Sequence, residues 1–120
     1  MVTVFIVDDD TFLQDVLGRI LSIGGYIVLD SAYNGEEAIE KFMGFDPKPD
    51  IILMDYRMPV MDGAKATREL IQLDSSVRIV FISGDDTLKD EAINAGALDF
   101  LVKPISSSTL FEAIEKYSVA

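Results

Sequence analysis

The sequence predicts an α/β domain, a doubly wound parallel sheet of five strands with helices on both faces. Three observations carry that expectation. Short apolar runs rich in Val, Ile and Phe alternate with amphipathic segments of helical period along the whole chain. Several of the runs are almost uninterrupted in apolar character, which suits parallel strands covered on both sides. The length, 120 residues, is that of one domain and buries about two thirds of its unfolded surface without disulfide or metal staples.

Each element has its own signal. The first strand reads as Val2–Val7, stopped by Asp8. Leu13, Val16, Leu17, Ile20 and Leu21 then recur at i, i+3, i+4, i+7 and i+8, one face of a helix, with Asp10 or Thr11 as its cap and Gly24-Gly25 as its end. Tyr26–Leu29 is the second strand, placed at a sheet edge. Asn34 caps a second helix that turns Ala38, Ile39, Phe42 and Met43 inward. Ile51–Met54 is the third strand, and a helix from Ala64 to Leu73 turns Leu70 and Ile71 inward. Ile79–Ile82 is the fourth strand, and a short, weakly amphipathic helix follows over Leu88–Ala95. Phe100–Val102 is the fifth strand. The last helix starts at Ser106-Ser107-Ser108 and gathers Leu110, Ala113, Ile114 and Tyr117 on one face. Repeats, low-complexity tracts and linkers are absent, so residues 1–120 form a single domain.

Composition narrows the chemistry. The chain has no cysteine, which excludes thiolate metal sites and thiol nucleophiles. It has no histidine, so any reaction must use carboxylates, hydroxyls, Lys or Arg. A net charge of −11 repels phosphate backbones and argues against direct nucleic-acid binding. The first apolar run is too short for a signal-peptide core or a membrane span, and the expected location is the cytoplasm.

Sheets of this kind bind ligands beyond the carboxyl ends of their strands. Strand one ends in Asp8-Asp9-Asp10, strand three in Asp55, strand four in Ser83-Gly84 and strand five in Lys103-Pro104. Taken singly, each has an ordinary reading: Asp10 as a helix cap, Ser83 as a turn hydroxyl, Lys103 as a solvated loop residue. Together they put acids, a hydroxyl and an ammonium on one rim. Carboxylates held close repel unless a proton or cation lies between them. Oxygen ligands without His or Cys suit Mg²⁺, and Mg²⁺ beside a Lys is suited to holding a phosphoryl group. An Asp can itself accept that group.

The residues VFIVDDD, IILMDYRMPVMDG, RIVFISG and DFLVKP resemble a two-component response regulator receiver domain of the single-domain, chemotaxis-regulator kind, over Val2 to Tyr117. The resemblance implies a flavodoxin-like (βα)5 fold with strand order 2-1-3-4-5. It implies Asp55 as the phosphoacceptor. It implies Mg²⁺, with Mn²⁺ as a substitute, held at Asp55, directly by Asp9, through water by Asp8, and by the backbone carbonyl of Arg57. Ser83 and the Gly84 N–H would bind phosphoryl oxygens, and Lys103 would pair with the acceptor carboxylate and then its phosphate. The Lys103–Pro104 bond would be cis, and Asp62-Gly63 would end the loop after the acceptor. Phe100 falls at the family's aromatic switch position, together with Ser83. Phe100 also reads as an ordinary buried strand aromatic, and it lacks the hydroxyl of a Tyr. Arg57 and Asp85 read either as an ion pair over the site that tunes phosphoryl lifetime or as two solvated side chains.

Two functional classes follow. In the first, the domain is a signalling switch rather than a conventional enzyme. It takes a phosphoryl group from a sensor histidine kinase, a phosphotransfer protein or a small phosphodonor, and acts on an effector protein or an output domain through the face built from the fourth helix, fifth strand and fifth helix. The last helix, from Thr109 to Tyr117, has Lys116 but no Arg, which points away from the salt-bridged receiver dimer and toward a monomer or weak dimer. The second class is a small phosphatase of the haloacid dehalogenase type with Asp8 as nucleophile. Against it, the Thr of Asp8-Asp9-Asp10-Thr11 comes one residue too soon and no acidic pair follows Lys103.

Overall fold

A computed structural model describes residues 1–118. Five strands, β1 (Thr3–Val7), β2 (Ile27–Ala32), β3 (Ile51–Met54), β4 (Ile79–Ser83) and β5 (Asp99–Val102), alternate with five helices, α1 (Thr11–Ile23), α2 (Gly35–Gly44), α3 (Gly63–Leu73), α4 (Lys89–Ala95) and α5 (Ser107–Tyr117). All strand pairings are parallel, in the order β2-β1-β3-β4-β5. Among the described residues no helix is long and apolar enough to cross a membrane.

Strand alternation builds two cores. Phe5, Val7, Ile52, Met54 and Phe81 face α2, α3 and α4, where Phe42, Leu70 and Ala92 close over them. Val4, Ile6, Ile51, Leu53, Val80 and Ile82 point the other way, against Leu17 and Leu21 of α1 and Leu110 and Ile114 of α5. Every one of these side chains is buried. A side chain the size of Phe42 or Phe81 contributes roughly 2–3 kcal/mol by leaving water, so the sheet is held from both sides.

The helices start where the sequence has capping oxygens. Asp10, not Thr11, caps α1, accepting the N–H groups of Phe12 and Leu13 at 3.0 and 3.1 Å. Asn34, Asp62 and Ser106 cap α2, α3 and α5 in the same way. Gly96, at φ 120°, ends α4 in a conformation that side chains disfavour.

Several boundaries differ from the sequence expectation. The second strand runs Ile27–Ala32 rather than Tyr26–Leu29, because an edge strand bonds β1 on one side only and can carry Asp30 and Ser31. Met43 is exposed rather than inward, since Ala38 and Phe42 already fill the face of α2 that meets the core. Ile71 is only partly buried, and its side chain lies against Gly96. The fourth helix begins with a 3-10 turn at Asp86–Leu88, and only Lys89–Ala95 is α-helical. Ser83 is the last residue of β4 rather than the first after it.

Candidate functional site

Strand register assembles the site. Val7 pairs with Met54 across β1 and β3, so the residues that follow, Asp8 and Asp55, leave neighbouring strands at the same level. The N–H of Asp55 donates to Val7 O at 2.8 Å and the N–H of Asp8 to Ala32 O at 3.0 Å, which continues the ladder into the site. Across β4 and β5, Ser83 pairs with Val102, and Lys103 N donates to Ser83 O at 2.8 Å. The lysine thus leaves its strand one step beyond the serine and reaches back across the sheet.

Asp8, Asp9 and Asp55 each offer a carboxylate oxygen, all within 4.8 Å of one another. Asp8 and Asp55 are buried and Asp9 stands at the exposed mouth. Lys103 Nζ lies 3.1 Å from Asp8 Oδ2 and 3.6 Å from Asp55 Oδ1. Asp8 Oδ1 also accepts the N–H of Asp10 at 2.9 Å, and Asp55 Oδ1 accepts the N–H of Tyr56 at 2.9 Å. Burial first, and then the charge of Asp8, push the Asp55 carboxyl up to about 6, against the pull of Lys103 and the Tyr56 N–H. One ammonium among three carboxylates leaves the crevice short of positive charge. The donor set is all oxygen, partly buried and partly open, which fits a hard divalent cation such as Mg²⁺ that keeps several waters.

Ser83 is buried, and among the described residues its Oγ takes only a long 3.4 Å bond from the N–H of Asp85. Gly84 beside it is exposed, and a Cβ there would touch nothing. Arg57 Nη2 and Asp85 Oδ2 are 3.1 Å apart, so the ion pair over the rim is formed. Asp85 is shared, since its other oxygen accepts the N–H of Thr87 at 3.0 Å and caps the 3-10 turn. The hydroxyl of Thr87, and then Arg57, hold its carboxyl below the usual range. Gly63 is required by space, because a Cβ there would fall 2.1 Å from the Asp55 carbonyl oxygen. The Lys103–Pro104 bond is cis, and Asp46–Pro47 is a second cis bond that the sequence reading did not expect.

Phe100 is buried and stacks on Phe81, with ring centroids 6.1 Å apart and planes 16° from parallel. Tyr56 packs on the same Phe81 at 5.9 Å, and its hydroxyl donates to Glu91 of α4. Burial and that carboxylate push the Tyr56 hydroxyl up to about 12. Sequence reasoning missed this chain of contacts from the Asp55 strand end to α4. It also missed Gln14, a buried amide bonded to the strand ends. The available signal for Gln14 was its place at i−3 from Leu17 and i−7 from Leu21, on the stripe that α1 buries.

Residues 4–115 match the response regulator receiver domain family. The chemotaxis protein CheY of Thermotoga maritima is 43% identical over 117 residues, 96% of either chain. That of Bacillus subtilis is 40% identical over 115 residues, 94% of either chain. The crystal structure of the CheX–CheY–BeF3–Mg²⁺ complex from Borrelia burgdorferi contains a chain that superposes with TM-score 0.91 and 31% identity, covering 99% of this chain and 90% of that one. Nothing in these likenesses supports the haloacid-dehalogenase-type alternative, and Asp8, its nucleophile, has one oxygen on Lys103 and the other on the Asp10 N–H. The family match takes in every strand end that builds the acidic crevice, and the chain belongs to the response regulator receiver domain family.

Proposed function

We propose that this receiver domain is a phosphorylation-dependent switch in which Asp55 accepts a phosphoryl group with the help of Mg²⁺. The observation that carries the reading is the crevice itself: Asp8, Asp9 and Asp55 within 4.8 Å of one another, with Lys103 touching both buried acids. That arrangement is short of positive charge until a cation arrives, and the cation and Lys103 together can then hold the anionic oxygens of a phosphoryl group. Support also comes from the Borrelia relative, whose structure holds Mg²⁺ and BeF3.

Asp9, Asp55 and the backbone carbonyl of Arg57 would hold the cation, with Asp8 acting through water, and Mn²⁺ would substitute. The cation would neutralise phosphoryl oxygens as charge develops on them. An Asp55 carboxylate oxygen attacks phosphorus in line, and the bond to the donor, a phosphohistidine nitrogen of a partner kinase or phosphotransfer protein, breaks. Lys103 moves from the acceptor carboxylate to a phosphoryl oxygen. The Ser83 hydroxyl and the Gly84 N–H donate to the others. The long Ser83–Asp85 bond is weak enough to be given up for this. Ser83 and Phe100 then repack, and the change passes to the α4–β5–α5 surface, where an effector protein in the cytoplasm reads it.

Acetyl phosphate or beryllofluoride with Mg²⁺ should modify a single residue, Asp55. Mass spectrometry of Asp55→Asn should show no added phosphoryl group. Labelling of that variant at the wild-type level would overturn the assignment, and labelling on Asp8 would revive the phosphatase.

A further inference from the structure

Gln14 lies in the first turn of α1, polar yet buried. Its Nε2 has three backbone carbonyls within hydrogen-bond distance, those of Ile6 at 3.2 Å, Asp8 at 3.1 Å and Ala32 at 2.9 Å, so its two N–H donors are shared among three acceptors. Three acceptors around one atom fix the amide's orientation, because the reversed amide would set Oε1 against three carbonyl oxygens. Oε1 has no partner among the described residues, so the side chain is committed to donating.

The three carbonyls are not equivalent. Ile6 lies within β1 and Ala32 ends β2, where its oxygen also takes the N–H of Asp8. Asp8 has left the strand, and its carbonyl belongs to the peptide that joins Asp8 to Asp9. That peptide plane sets the directions in which both carboxylates leave the backbone. The ladder holds the N–H of Asp8, Gln14 holds its C=O, and the Asp10 N–H holds its Oδ1.

We propose that Gln14 is a positioning residue for the acidic crevice: its amide clamps the Asp8–Asp9 peptide to the ends of β1 and β2 and so aims both carboxylates at the cation. The proposal rests on reading the crevice as a cation site. Mg²⁺ demands near-octahedral geometry, and loss of a group that orients its ligands typically weakens binding about 10–100-fold.

The test is the Mg²⁺ dissociation constant, measured by titration calorimetry on three proteins. Gln14→Met keeps the length and burial of the side chain and removes both donors. Leu21→Val lies on the same helix, loosens its packing and leaves the turn alone. Gln14→Met should bind Mg²⁺ roughly tenfold more weakly than wild type, while Leu21→Val should bind as wild type does. If Gln14→Met does not fold, Gln14→Asn, one methylene too short to reach all three carbonyls, takes its place. An unchanged constant in the folded Gln14 variant overturns the proposal, as does equal weakening in Leu21→Val, which would mean general loosening of α1. Failure of the wild type to bind Mg²⁺ overturns the cation-site reading and the proposal with it.

Discussion

Asp55→Asn should stabilise the metal-free protein at neutral pH. Asp55 ionises at about 6 in the folded protein, against an ordinary value of 3.8, with burial as the main cause and Asp8 second. Between these two values the folded state binds more protons than the unfolded state, so stability falls as pH rises through the window. Above about 6 the loss is complete. Two pKa units correspond to about 3 kcal/mol as an upper bound. The crevice opens to solvent, and screening reduces the expected effect to roughly 1–2 kcal/mol. For a domain of this size that is a melting shift of about 4–8 °C. Asn keeps an oxygen for the Tyr56 N–H and leaves Lys103 on Asp8, so the substitution removes a charge without removing those contacts.

The assay is thermal unfolding of wild type and Asp55→Asn in EDTA at about pH 5 and pH 8, repeated in Mg²⁺. The variant should melt higher at pH 8, and its advantage should shrink by about half near pH 5, where the folded wild type already holds the proton. Mg²⁺ at ten times its dissociation constant should stabilise the wild type by about 1.4 kcal/mol and the variant by much less. A variant that melts at or below wild type at pH 8 in EDTA, or a gap independent of pH, would refute the crowding argument.

Arg57→Asn should shorten the lifetime of the phosphorylated protein several-fold, because Arg57 pairs with Asp85 between the loops that follow Asp55 and Ser83, and Asp85→Ala should have a smaller effect. Equal half-lives in a dephosphorylation time course would show that the pair only decorates the surface. Gly63→Ala should cost at least ~2 kcal/mol in urea unfolding, since its Cβ would sit 2.1 Å from the Asp55 carbonyl oxygen, with Met54 and Phe81 side-chain atoms at 3.0 Å. Val60 is exposed at φ 70°, a left-handed conformation that a β-branched residue resists. Val60→Asn should therefore raise stability by about 1 kcal/mol, and an unchanged melting temperature would mean that the loop relaxes at no cost.

The parts legible in the sequence are those governed by local pattern. The uninterrupted apolar run Val4-Phe5-Ile6-Val7 and the cap at Asn34 depend on near neighbours and survive tertiary packing. The strand ends Asp8, Asp55, Ser83 and Lys103 were legible because a parallel sheet puts all such ends on one rim. Illegible were the contacts that join a strand end to a helix face far along the chain, which no rule of the sheet brings together. Tyr56 and Glu91 are 35 residues apart, and neither has a local signal that predicts the other. Met43 shows the converse error, a helical period that continues past the width of the core it meets.

The same pattern that folds the chain also enforces the chemistry of its rim. Strand side chains alternate, so a one-residue slip of β1 against β3 would drive Phe5 and Val7 toward α1 and α5 and Val4 and Ile6 toward α2 and α3. Both cores would misfit at once. That slip would also move Asp8 a full residue, about 3.3 Å, along the strand from its place beside Asp55. Such a shift equals the whole reach of the Lys103 contacts, which are 3.1 and 3.6 Å. Like charges at the mutual distances seen here would relax apart if the backbone let them. Two independent cores prevent it, each fixing the same register from opposite faces of the sheet. The crowding of carboxylates is therefore held by apolar packing that takes no part in the chemistry, and it is relieved only from outside, by a proton at low pH or by cationic charge at neutral pH.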